Sequence, residues 1–182
     1  MPLFNKYLLL DAARCGIETV EEAEGAGNQA ESLFAEKNGS NPLRTVAPYL
    51  LRLDEPLMEW FLTKGWERSW GMIVVYSGEP EQTRLHLKKQ LKVKNERDKR
   101  MFFRFYDPRV LRIFLPTCDK GQLKEFFGPV SFFICEDKES EPALAYCFEN
   151  GQLITNNIKR DDLFNPIKLD KVLDQIMIEN KR

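Results

Sequence analysis

His86 is the only histidine in the 182-residue chain, so any Ser-His-Asp or Cys-His relay would have to be built on it. It stands among Lys88, Lys89 and Lys92 with no nucleophile elbow around it, a setting that predicts a helix surface position and no catalytic role. Cys15, Cys118, Cys135 and Cys147 are too far apart for a zinc knuckle or a Cys-x-x-Cys redox pair. Cys135 and Cys147 lie inside apolar runs, where cysteine behaves as a small hydrophobe, so buried free thiols are expected. The carboxylates of Asp161-Asp162 and Glu21-Glu22 are sequence neighbours whose side chains diverge on a helix or strand, which does not make an acid/base pair. No Gly-x-x-x-x-Gly-Lys phosphate loop is present, and Gly25-Ala26-Gly27 lacks the third glycine of a dinucleotide fingerprint. Together these residues predict a protein that is not an enzyme and that carries neither cofactor nor metal.

One stretch has the chemistry to bind nucleic acid. Lys88, Lys89, Lys92, Lys94, Arg97, Lys99, Arg100 and Arg104 run into Phe102, Phe103, Phe105 and Tyr106, and charge beside stacking aromatics is what single strands require. Glu96 and Asp98 interrupt the run, the glycines of an RNA-recognition signature are missing, and aromatics beside Met101 suit a strand in a core. A nucleic-acid-binding module built on residues 88–106 is therefore the alternative reading. Farther along, Asp107-Pro108 is a compact helix start, in which the carboxylate accepts from first-turn amides and proline supplies a preset φ. Arg104 or Arg109 could pair with that carboxylate and fix the corner, or stand exposed as a partner anchor.

These residues need elements to position them. Tyr7 to Ala13 is short, apolar and without helical spacing, as expected of a strand buried on both faces. Residues 15–32, rich in glutamate around Gly25 and Gly27, read as a polar connection or weak helix. Tyr49–Leu53 is a second extended segment, followed by a helix that Pro56 opens and Leu57, Trp60 and Phe61 give one apolar face. Gly71–Tyr76 is the clearest buried strand, and a helix over 81–92 follows. Asn95–Arg100 reads as a polar loop and Met101–Tyr106 as a strand. Helices near 108–114 and 121–127 precede a strand at Val130–Cys135, with a hairpin at 143–155 turned by Asn150-Gly151. From Pro166, Leu169, Val172, Leu173 and Ile176 form a helical stripe that could dock on its own domain or on a partner helix.

The pattern predicts an α/β fold, a mixed sheet with flanking helices, plus a small C-terminal hairpin and helical lobe. The expected division is residues 1–137 for the α/β domain and 138–182 for the appendage, with the break at Asp137–Pro142. Composition agrees with a folded chain, since 43% of residues are hydrophobic and 30% charged. The 27 basic and 28 acidic residues nearly cancel, so no global field favours nucleic acid or an anionic membrane. Met1–Lys6 shows no basic leader, and no apolar run approaches the length of about 20 residues needed to span a bilayer. A cytoplasmic protein is the expectation.

Several segments, in order, resemble the effector-adaptor (Tap/Tec) family of bacterial type VI secretion, once grouped only as a domain of unknown function. They are Tyr7–Ala13, Leu33-Phe34, Ala47–Leu53, Trp70-Gly71, the helix with Leu85, Leu87 and Leu91, and above all Phe103–Leu111 followed by Phe126–Val130. The resemblance covers about residues 7–135 and fades beyond. It implies a chaperone-like adaptor that holds the N-terminal region of a toxic effector and helps mount it on the VgrG spike, as a monomer in a 1:1 complex with the effector. No reaction, nucleic acid or membrane is implied. Arg104, Tyr106, Asp107 and Arg109, with Leu169, Val172, Leu173 and Ile176, are the candidate partner-binding residues. An open groove between the α/β lobe and the C-terminal element is expected to take up apolar effector surface.

Overall fold

The computed structural model describes residues 4–36, 38–94, 97–137 and 141–180. Seven strands form one sheet in the order β2-β3-β1-β4-β7-β8-β9. These are β1 (Asn5–Asp11), β2 (Glu31–Ser32), β3 (Pro48–Arg52), β4 (Gly71–Tyr76), β7 (Val130–Glu136), β8 (Ala143–Glu149) and β9 (Gln152–Ile158). Every pair in the sheet is antiparallel, so the fold is mixed α/β with an antiparallel sheet. A separate two-stranded ribbon joins β5 (Lys92–Lys94) to β6 (Arg100–Phe102).

The period-2 alternation of strand side chains divides the core in two. Leu8, Leu10, Leu51, Ile73, Val75, Phe132 and Ile134 point to one face. Leu9, Leu50, Met72, Val74 and Phe133 point to the other. A strand with both faces covered reads as an unbroken apolar run, which is why Leu8-Leu9-Leu10 and Ile73-Val74-Val75 were legible as central strands. The first face is covered by α2 (Ile17–Ala26), α3 (Glu55–Trp60) with its π-helical turn Phe61–Gly65, α7 (Arg160–Leu163) and α8 (Pro166–Asn180). The second is covered by α4 (Pro80–Gln90), α5 (Pro108–Phe114) and α6 (Lys120–Phe127). A four-residue helix, α1 (Ala12–Cys15), follows β1 directly. At the β1–β4 contact there is room only for glycine: a Cβ on Gly71 would lie 2.0 Å from the Leu9 carbonyl oxygen.

Local signals fixed most boundaries. Asp54, Asp107 and Asp119 cap α3, α5 and α6, the last with a reciprocal capping box to Gln122. Asn150 and Gly151 both take positive φ, 50° and 79°, as a two-residue hairpin turn requires. The strand expected over 101–106 is a correction. Only Arg100–Phe102 is extended, all three exposed, while Phe105 and Tyr106 reach the core from a turn. Aromatic richness reported burial there, and burial is what β-propensity largely measures. Of the loop expected over 95–100, residues 97–99 are outside any strand, Arg100 already belongs to β6, and Asn95 and Glu96 lie outside the described residues. So do Met1–Leu3 of the expected leaderless start.

The break expected at Asp137–Pro142 falls between two strands paired in one sheet, since Cys135 faces Leu144 and Glu136 faces Ala143. Lys138, Glu139 and Ser140 of that break lie outside the described residues. Beyond it, Leu169 and Leu173 of α8 are fully buried in the same cluster as Leu8 and Ile73, and Lys6 of β1 forms an ion pair with Asp170. A leucine at such a position contributes about 2–5 kcal/mol relative to alanine. Leu173→Ala is expected to lower the unfolding free energy of the whole chain by that amount, read from urea titration as one cooperative transition seen alike by tryptophan fluorescence and far-UV circular dichroism. A separate early transition would show instead that 141–180 folds as an independent unit.

Candidate protein-binding surface

Asp11 ends β1 and Asp107 precedes α5; both are buried, and their positions at one end of the sheet make Arg104 and Arg109 their partners. Asp107 accepts from its own N-cap contact, Arg109 N, at 3.0 Å, and from Arg109 Nε and Nη2 at 3.0 and 2.6 Å. That two-pronged contact is the geometry a guanidinium matches best. Arg104 Nη2 donates to Asp11 Oδ2 at 2.5 Å and lies 3.9 Å from Asp107 Oδ2. Asp11 Oδ1 in turn accepts from Ala13 N at 3.0 Å and caps α1.

The two carboxylates respond in opposite directions. Burial pushes the Asp11 carboxyl up, outweighing the Arg104 hydrogen bond and charge. Burial acts on Asp107 in the same sense, but hydrogen bonds from Arg109 and the charges of Arg109 and Arg104 outweigh it and hold the group below its usual value. A third buried acid, Glu136, closes the corner by accepting from Ser69 N at 2.8 Å and Ser69 Oγ at 2.9 Å. Ser69 has φ of 53°, a strained conformation for a residue with a side chain, and this carboxylate secures it. Arg112 from α5 donates to the Glu136 carbonyl at 2.6 Å. The charge of Arg109 reaches all three acids, Asp107, Asp11 and Glu136.

Beside this corner the ribbon β5–β6 stands away from the sheet as an arm, with all six of its strand residues exposed. Its base is tied by Phe103 N donating to Leu91 O at 2.9 Å. Its pairs are Lys92 with Phe102, Val93 with Met101, and Lys94 with Arg100. Phe102 is 57% exposed although its ring lies 5.0 Å from Phe34. A groove of about 470 Å³ lies on one side, walled by Leu33, Phe34, Pro42, Leu43, Leu91 and Phe102. One of about 520 Å³ lies on the other, walled by Val93, Phe103, Phe114 and Phe126. Lys92 lines both, and Phe114 also lines a shallower depression beside Asp107, Arg109 and Ile113. The three depressions adjoin, the first two sharing Lys92 and the last two Phe114, from Leu43, past the arm, to the Asp107–Arg109 pair.

The candidate residues divide between three places. Arg104, Asp107 and Arg109 meet in the corner, with the two arginine side chains 42% and 48% exposed. Tyr106 is buried, its phenol pushed up to about 12 by burial, and its ring serves the second core. Leu169, Leu173 and Ile176 are buried on the opposite face with Val172 packed beside them, so in this structure the stripe docks on its own domain. The groove expected between the α/β lobe and the C-terminal element is filled by those same side chains, because α8 needs them to bury its own apolar face. His86 is half-buried, not on the surface, and its Nε2 lies 2.8 Å from the Phe126 carbonyl oxygen, which ties α4 to the end of α6. In the basic stretch, Lys89 pairs with Glu125, Lys94 with Asp98, and Lys88 donates to the Ala35 carbonyl.

Sequence reasoning missed Asp11 as the partner of Arg104, 93 residues away. It also missed the exposure of Val93, Met101 and Phe102. An apolar residue between lysines, as in Lys92-Val93-Lys94, was the available signal for the latter.

Removing Arg109 strands a buried carboxylate. Arg109→Met is expected to destabilise the protein by about 1–3 kcal/mol, the cost of a lost charge-assisted hydrogen bond, as read by urea titration at pH 7. Because the folded-state value of Asp107 is depressed, its contribution is present above its ordinary value of 3.8 and disappears as pH falls through the folded value. The stability gap between wild type and Arg109→Met should therefore narrow on acidification; a gap constant down to acid unfolding would contradict the pairing.

A family model described as a domain of unknown function, DUF4123, matches residues 6–125. The match takes in Asp11, the arm, the arginine corner and α5. No curated protein and no solved structure matches the chain. No helix among the described residues is long and apolar enough to cross a membrane. The family is associated with type VI secretion. With well over half of its 182 residues matched, the chain belongs to the DUF4123 family.

Proposed function

We propose that this chain is an adaptor that binds the N-terminal region of a toxic effector and helps load it onto the VgrG spike of a type VI secretion system. It acts in the cytoplasm, by binding and not by catalysis, as a monomer in a 1:1 complex. The observation that carries this reading is the exposed apolar arm between two adjoining grooves, with Val93, Met101, Phe102 and Leu43 left 38–57% exposed on a chain of type VI-associated family. Scattered exposed apolar residues need no explanation, whereas a contiguous grooved patch with a charged rim is how interaction sites are built. Arg109 and Arg104 at its far end offer polar anchors whose geometry is already set by Asp107 and Asp11, so little ordering is needed on binding.

The test is a comparison of proteins secreted by the source bacterium with and without this gene. Loss of one effector from the medium, with other type VI substrates still secreted and the loss reversed by a plasmid copy, is the expected result. An unchanged set of secreted proteins would overturn the adaptor reading.

A further inference from the structure

The arm poses a physical problem in the free protein. Two strands of three residues, exposed on both faces, leave most of their own apolar surface in water, and an isolated ribbon of this kind is marginal there. It also sets Lys94 directly opposite Arg100, a like-charge pair that disfavours the ribbon. Asp98 answers Lys94 and Glu125 answers Lys89, while Lys92 and Arg100 have no ion pair among the described residues. Apolar Val93, Met101 and Phe102 are thus interleaved with cations, and the grooves on either side carry phenylalanine rings at their walls.

Resting on the adaptor reading above, we propose that the arm is the element that recognises the effector, and that it takes an amphipathic segment carrying acidic residues beside its apolar ones. The apolar side of that segment covers Met101 and Phe102 and fills the flanking grooves. Its carboxylates lie against Lys92 and Arg100, relieve the Lys94–Arg100 repulsion and complete the ribbon's missing face. Charge complementarity selects this occupant over a basic or neutral one. The same cations would attract phosphates, but a nucleic-acid backbone leaves apolar grooves unfilled, and of the aromatics here only Phe102 is more than half exposed for stacking.

The test uses the full chain and the secreted protein identified by the gene-deletion comparison, titrated by calorimetry at 50 and 500 mM NaCl. Lys92→Glu/Arg100→Glu is expected to weaken binding about tenfold or more at low salt, and to remove most of the wild type's salt dependence. Met101→Ser/Phe102→Ser, which reduces apolar surface without changing charge, is expected to weaken binding about tenfold at both salt concentrations. Both variants should keep the wild-type melting temperature within about 2 °C, since exposed positions cost little stability. If the effector binds all three proteins equally, the arm is not the recognition element, although the adaptor reading stands. If no secreted protein depends on the gene, both fall. A fluorescein-labelled 20-nucleotide single strand bound by the wild type at 150 mM NaCl, and released by Lys92→Glu/Arg100→Glu while effector binding persists, would assign the arm to nucleic acid and overturn the proposal.

Discussion

Two buried carboxylates at one end of the sheet, Asp11 and Asp107, require cations, and Arg104 and Arg109 supply them, while Arg112 of the same segment holds the backbone carbonyl of Glu136. A buried charge without a partner is costly, so Asp11 and Asp107 restrict where this segment can run. Arg104 reaches Asp11 at the end of β1, Arg109 grips Asp107 at the start of α5, and Arg112 meets the backbone at the end of β7. These contacts span three strands of the sheet. Phe105 and Tyr106, lying between the arginines, are drawn under them into the second core. With Phe103 tied to Leu91 and Arg104 tied to Asp11, the arm has both feet fixed and can only project outward.

The arrangement sets a rigid base beside an arm with little packing of its own. Phe126 packs against Phe105, Phe114 and Phe133 at centroid distances of 5.2–5.5 Å, backing the groove beside Val93 with interlocked rings. Such edge-on and tilted pairs hold fixed relative orientations, so the groove walls are set before any partner arrives. The arm has no comparable packing. Its stability must come from its base and from whatever covers it, and elements with few buried contacts are the ones that reorder on binding.

How far the sequence could be read followed from how local each signal was. The caps at Asp54, Asp107 and Asp119 and the Asn150-Gly151 turn depend on residues a few positions apart, and all were in reach. The unbroken apolar runs at Leu8–Leu10 and Ile73–Val75 identified central strands because two covered faces leave no polar alternation. The corner was half legible: Asp107 with Arg109 could be inferred from two-residue spacing, whereas Asp11 with Arg104 depends on the tertiary fold. The arm was misread because Met101, Phe102, Phe103, Phe105 and Tyr106 look alike in composition. The fold sends the last two inward and leaves Met101 and Phe102 in water. The stripe on α8 had the right periodicity, but periodicity alone does not say whether the face is spent on the chain's own core, as it is here.

Hydrogen–deuterium exchange of the protein, alone and saturated with the secreted protein that depends on its gene, tests the central claim most directly, since it reports where ordering occurs without altering a residue. Slowed exchange is predicted across peptides covering 91–103 and the groove walls near 33–36 and 113–117, with no change in α8. Protection confined to α8, or none in the arm while the complex is intact, would contradict the account.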